Sequence, residues 1–308
     1  MPEYLQRSYD PQRDLLPVID LLIADRAAGH GDVALTPSRL HLLLASRLQD
    51  PRDARGWFDE KGLPVGFAML LRRNRESSHV EMERLIIHPD ARATDLEEIM
   101  LHWAEARGHE LSFEREKPIT LLMTTPHDEE AAIFLRHGFT QEVDEFNQLM
   151  RRPLDDALKQ PVIPSGYTLK TLADDADIAA YEAISGFTPI TTEHRRAQIA
   201  SKDYYHAIIV APNGTFAAYC ESSVAPAEWK NADQAIGWID YIRTLPSARN
   251  HGLGIVMLQA ALHYLRERGA TTAMLTTTST NTIAQATFAR AGFTPYAQST
   301  VYRKTIAL

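Results

Sequence analysis

The sequence predicts an α/β (α+β) chain built of two tandem units, each a mixed, mostly antiparallel central sheet flanked by helices. Three observations predict it. Short motifs recur in the same order in the two halves. Each half alternates β-rich runs with runs of helical periodicity. A polar stretch from Arg152-Pro153 through Pro161 and Pro164 to Gly166 lies between them and reads as a linker. The expected division is a first domain at 1–152, a linker at 153–165 and a second domain at 166–308.

The repeat rests on four pairs of segments. Phe134-Leu-Arg-His-Gly-Phe139-Thr140 returns as Phe288-Ala-Arg-Ala-Gly-Phe293-Thr294, and His88-Pro89-Asp-Ala-Arg92 returns as Leu245-Pro246-Ser-Ala-Arg249. Leu121-Leu-Met-Thr-Thr125 returns as Met274-Leu-Thr-Thr-Thr278, and Arg107-Gly108 as Arg268-Gly269. Each match is short; their common order carries the inference.

In the second half the elements follow one another clearly. Tyr167 to Thr171 alternates and predicts a strand; Asp174–Ser185 and Glu193–Ser201 predict helices. Tyr205 to Val210 is β-rich, Pro212-Asn213-Gly214 is a hairpin turn, and Thr215 to Glu221 returns. Ile236 to Thr244 is a further strand. Leu253 to Arg266 is a helix with Leu258, Ala261, Leu262 and Leu265 on one face. Ala273–Thr278 (strand), Thr282–Ala291 (helix, stopped by Gly292) and Val301–Ile306 (strand) complete it. In the first half Leu96, Ile99, Met100 and Trp103 form the core face of the helix that matches 253–266.

Composition narrows the function. The chain has 308 residues, 44% hydrophobic and 23% charged, enough for two ordinary domains. Its formal net charge of -8 argues against nucleic-acid binding, which needs a basic face, and leans toward cationic small molecules through steering. The one cysteine, Cys220, forms no internal disulfide, which fits a cytoplasmic setting. The apolar stretch Leu15–Ala24 carries Asp20 and Pro17 and is no export signal, and no run has the length of a membrane span. Twelve histidines are scattered without zinc-site spacing, so no metal is expected. The oligomeric expectation is a monomer or homodimer.

The tract Arg249-Asn250-His251-Gly252-Leu253-Gly254 lies between the strand 236–244 and the helix that follows. Glycines let backbone N–H groups approach phosphate oxygens, and the helix start adds the positive end of its dipole. A pyrophosphate is the ligand such a turn holds.

Pro246-x-x-Arg249-x-x-Gly252-x-Gly254, followed by Asn281-x-x-Ala284-x-x-x-Phe288-x-x-x-Gly292-Phe293, resembles the GCN5-related N-acetyltransferases, the GNAT superfamily. The resemblance covers the last 70 residues well, the rest of the second half loosely, and the first half by repetition. It implies two tandem GNAT-like domains and acetyl-CoA as co-substrate. Carried over residue by residue, Arg249, Asn250, His251, Gly252, Leu253 and Gly254 would wrap the pyrophosphate. Ile242, Arg243 and Thr244 would pair with the pantetheine arm along a splayed strand, and Asn281 would hydrogen-bond it near the next helix.

The sequence departs from the family in two places. The usual general acid is a tyrosine at the position of Phe288, a residue counted with the donor-binding set; Phe134 is its counterpart. Neither donates a proton, which leaves solvent or another group such as Tyr296 or Tyr302. In the first half, Asp95-Leu96-Glu97 stands where the second has Gly252-Leu253-Gly254, so two carboxylates would face a pyrophosphate. The first domain is therefore expected to be degenerate, kept for structure or acceptor binding.

Asp240, on the strand before the loop, is the candidate catalytic base, with Glu83 as its counterpart and Glu221 as a second candidate. Trp229, between Pro226 and Lys230, is a candidate for the acceptor cleft or for packing, and Cys220 reads as a small buried residue. The function expected is acetyl transfer from acetyl-CoA to a primary amine of a small molecule or peptide, in the second domain. The alternative is a non-catalytic acyl-CoA-binding sensor or scaffold.

Overall fold

The computed structural model describes residues 4–308 apart from 31–34, 47, 49, 73–77, 83–84, 93, 156, 186–191, 227–228 and 230–233. The chain forms two compact units, Met1–Asn147 with Ser299–Leu308, and Gln148–Gln298.

The first unit holds β1 (Leu5–Ser8), α1 (Pro11–Ala27), α2 (Pro37–Ser46), β2 (Ala54–Phe58), β3 (Pro64–Arg72), β4 (His79–Met82), β5 (Ile86–Ile87), α3 (Leu96–Arg115), β6 (Ile119–Thr125), α4 (Asp128–Arg136) and the start of β7 (Thr140–Pro153). Strands β1 to β4 run antiparallel in sequence order, and β4 pairs with β6 in parallel. Of the predicted face of α3, Leu96 and Met100 are fully enclosed and Trp103 nearly so, while Ile99 is half-buried against the same core.

The second unit holds the end of β7, β8 (Thr168–Thr171), α5 (Asp175–Ser185), α6 (Thr192–Ala200), β9 (Tyr204–Val210), β10 (Phe216–Val224), β11 (Ile236–Thr244), α7 (Leu253–Glu267), β12 (Thr272–Thr278), α8 (Thr282–Arg290) and the start of β13 (Thr294–Ile306). Its strands lie in the order β7-β12-β11-β10-β9-β8, with only β11 and β12 parallel among the registers seen. Both units are thus mixed, mostly antiparallel sheets with helices. The β9–β10 hairpin turns as expected: Gly214 has φ +81, and Asn213 Oδ1 accepts from Thr215 N at 3.1 Å. Helix α7 covers the sheet with Leu253, Val256, Met257, Leu258, Ala261, Leu262 and Leu265. It lies close because β11 offers Gly237, where an added Cβ would stand 2.7 Å from Leu265 Cδ2.

The last strand differs from expectation. It starts at Thr294, and its tail pairs antiparallel with β6, from Thr300↔Thr125 to Ile306↔Ile119. Tyr302 and Ile306 are core residues of the first unit, and the Tyr302 ring stands 5.5 Å from that of Phe134. Proline content locates a loose segment of chain but does not say which sheet a later strand completes.

Candidate active site

The loop between β11 and α7 has the features of an anion cradle. After one 3-10 turn at Pro246–Ala248 the chain runs extended through Arg249, then enters the left-handed region at Asn250 (φ +65) and Gly252 (φ +74). Gly252 is the N-cap of α7; no side chain caps the helix and no acidic residue lies in its first turn. The helix start keeps unpaired N–H groups and its positive dipole end. His251 is exposed and its Nδ1 donates to Arg249 O at 2.8 Å, which braces the turn. Arg249 is exposed.

Gly254 is the informative glycine. An added Cβ would meet Thr287 Cγ2 at 3.6 Å and Thr244 Oγ1 at 3.8 Å, ordinary contacts. Packing alone does not demand glycine there, and alanine would suit the helix better.

Strands β11 and β12 pair only at Ile236↔Thr272, Gly237↔Ala273 and Trp238↔Met274. Past Trp238 they part, and the backbone of β11 from Ile239 to Thr244 faces the gap. On the other edge β10 pairs with Thr244, Arg243, Ile242 and Tyr241, then shifts register so that Ser222 faces Ile239. Asp240 is the extra residue of this β-bulge and is half-buried. The bulge breaks the strict alternation that the sequence implies for this strand. The negative charge of Asp240 helps raise the buried Cys220 thiol to about 12, with burial the main cause, so Cys220 is an inert core residue. Arg243 donates to Ile184 O at 3.4 Å, and its bond to the Tyr219 hydroxyl holds its pKa above the ordinary value.

Glu221 is already committed. It is buried and accepts from Arg195 Nη1 at 3.0 Å and from the Tyr181 hydroxyl. Burial raises its pKa, but Arg195 and then His206 more than offset this, leaving it below the ordinary value and unsuited to the role of base. Tyr181, Arg195 and His206 had no signal in the sequence, because their meeting depends on α5, α6 and β9 packing on one row of β10.

The remaining expected residues divide clearly. Asn281 is the N-cap of α8 and accepts from Ala284 N at 3.3 Å, which leaves its amide nitrogen as a donor toward a ligand. Phe288 is a core residue, 5% exposed, packed edge-on against Phe293. Tyr302 belongs to the other unit's core, and Tyr296 is exposed beneath the Arg151 guanidinium. The indole of Trp229 donates to Ile236 O at 3.1 Å and packs on the core, the structural role. Glu83 and Lys230 lie outside the described residues.

The matching place in the first unit is filled by its own carboxylates. Arg92, the counterpart of Arg249, is held by Asp25 at 2.7 Å, Glu97 at 3.4 Å and Glu130 at 3.6 Å. Glu97 stands where Gly254 would be; burial and then Glu130 raise its pKa against the pull of Arg92. Among the described residues no cluster of His, Cys, Asp and Glu is placed to hold a metal ion, and no helix is long and apolar enough to cross a membrane.

The family model for the acetyltransferase (GNAT) family matches residues 172–293, which contain the loop, the splayed strand and both helices beside them. That segment is a GNAT-family domain. Acetyl-CoA is the co-substrate of that domain's fold. The mycothiol acetyltransferase of Streptomyces griseus is 30% identical over 165 residues, 52% of this chain and about half (53%) of that protein. That of Thermobispora bispora is 27% identical over 295 residues, 92% of this chain and 95% of that one. A tandem GNAT protein from the clavulanic acid biosynthesis pathway superposes with a TM-score of 0.69 at 19% identity, over 99% of this chain and 98% of that one, a likeness of fold.

Proposed function

We propose that the second unit carries out acetyl transfer from acetyl-CoA to a primary amine of a small molecule, and that the first unit binds no CoA. The observation that carries this reading is the contrast between the two loops. One offers Gly252, Gly254 and an uncapped helix start, the other Arg92 neutralised by Asp25, Glu97 and Glu130.

The chemistry needed is modest: a C–N bond forms as the thioester C–S bond breaks, and two protons must move. The loop from Arg249 to Gly254 would hold the pyrophosphate through backbone N–H groups, the guanidinium and the helix dipole. The edge of Ile242, Arg243 and Thr244 beyond the last β11–β12 pair would pair with the pantetheine arm and turn an N–H toward the developing oxyanion. Asn281 would donate to the same arm. Asp240, at the bulge, would take the ammonium proton directly or through a water before attack, and the second proton would leave the nitrogen to water after it. Phe288 donates no proton, so solvent would supply the one that the departing thiolate takes.

Relatives named mycothiol acetyltransferase, one of them matched over 92% of this chain, make the amine acetylated in mycothiol the first acceptor to test. The experiment is release of CoA thiol with that amine and with a panel of aminoglycosides, amino acids and peptides. Turnover that is lost in Gly252→Glu supports the reading. Tight CoA binding with no turnover on any amine would favour a sensor instead.

A further inference from the structure

Glu221 is a buried carboxylate that the transfer chemistry does not use. It lies on β10 where the two flanking ladders differ. Toward β9 the pairing runs past it unbroken, with Glu221 opposite His206. Toward β11 it marks the break: Glu221 faces Tyr241, the next residue Ser222 faces Ile239, and Asp240 bulges between them. The competing register has no bulge. In it Ser222 would face Asp240, and the β11 residues before Asp240 would exchange sheet faces. Burial of Trp238 and Ile239, each 4% exposed, opposes that slip on one side of the bulge.

On the other side Glu221 is clamped by two helices. Tyr181 of α5 donates its hydroxyl to Glu221, and Arg195 of α6 donates Nη1 at 3.0 Å. Arg195 is fixed in turn: Nη2 donates to Glu182 Oε1 at 2.9 Å, and the guanidinium lies 4.8 Å over the Tyr181 ring. Burial and then the Glu221 charge raise the Tyr181 pKa well above its ordinary value, so its hydroxyl stays a donor. The same Tyr181 ring meets Tyr219 edge-on at 4.9 Å, and Tyr219 stacks on Tyr241 at 5.6 Å and 23°. Tyr241, the neighbour of Asp240 in the chain, is therefore held twice from α5, across the ladder by Glu221 and through the Tyr219 ring. After burial, Asp240 and then Glu221 raise the Cys220 thiol, so both carboxylates act on one sulfur. A buried ion pair adds little net stability over apolar packing of the same volume, but its directional bonds fix a position that apolar contacts let slide.

We propose that Glu221, clamped by Tyr181 and Arg195, is a positioning residue that fixes the bulge of β11 and so aims Asp240 at the acceptor amine. This rests on the reading of Asp240 as the base.

The test reads Asp240 itself, in the full chain labelled with ¹³C at the aspartate carboxyl. The Asp240 resonance, assigned by its loss in Asp240→Asn, should move in Tyr181→Phe, which removes a hydroxyl and changes no charge. Turnover of the amine acetylated in mycothiol should fall about threefold in Tyr181→Phe and about tenfold in Glu221→Gln, with acetyl-CoA affinity unchanged. In the Asp240→Asn background neither substitution should lower the rate further. An Asp240 resonance unmoved in both variants, full additivity with Asp240→Asn, or a parallel loss of acetyl-CoA affinity would each overturn the clamp. If Glu221→Gln does not fold, Tyr181→Phe carries the test alone. A wild-type rate in Asp240→Asn would refute the base but not the clamp, which the resonance reports without turnover.

Discussion

Asp240 and Phe288 are the two residues on which the chemistry turns, and they differ in how far the sequence reveals them. Asp240 is visible as an acid on the right strand, but its place at a bulge is not, since the register shift depends on β10. Asp240→Asn keeps the shape and removes the base. Acetyl-CoA affinity should hold while turnover of a cationic amine falls by ~10-fold or more, and by less at high pH, where more amine is already deprotonated. An unchanged rate at neutral pH would remove Asp240 from the mechanism. Phe288 is legible as the missing tyrosine, whereas its burial against Phe293 is known only from packing. A hydroxyl there has no water, so Phe288→Tyr should cost about 1–3 kcal/mol in urea unfolding. Full stability with faster turnover would show that the hydroxyl reaches the thiolate.

At the scale of elements, the α7 start separates ligand from fold. Gly254→Ala adds a methyl at ordinary contact distance and a better helix former. Unfolding should show stability unchanged or raised by up to about 1 kcal/mol, while acetyl-CoA affinity falls by about tenfold because the backbone approach is blocked. Loss of stability with affinity intact would mean that the glycine serves packing.

The β9–β10–α6 network makes a different prediction. The folded His206 pKa of about 4 lies below its ordinary 6.5, so the fold favours the neutral ring. Its contribution is complete above about pH 6.5 and is lost as pH falls toward 4. Glu221, also lowered, begins to lose its contribution once pH falls below the ordinary carboxylate value, in the wild type and the variant alike. Urea midpoints between pH 7 and 4 should therefore fall more steeply in the wild type than in His206→Gln, by about one proton per molecule. Equal slopes would show that His206 titrates alike folded and unfolded. The helices and strands around this network are legible from periodicity and the Pro-Asn-Gly turn. The network itself is not, because Tyr181, Arg195, His206 and Glu221 come from four elements.

Across the whole molecule, the repeat is written in sequence at Phe134 and Phe288 and at Arg92 and Arg249, and so is the loss of glycines at Asp95 and Glu97. What replaced them is not. Asp25 reaches Arg92 from α1, an element with no motif, and Tyr302 reaches the first unit's core from the far end of the chain. The central claim is that one loop of the two holds the acyl donor. Calorimetric titration of the full chain with acetyl-CoA tests it most directly. The account predicts about one equivalent bound, abolished in Gly254→Glu, where a carboxylate would meet phosphate. About two equivalents, or one that survives Gly254→Glu, would contradict it.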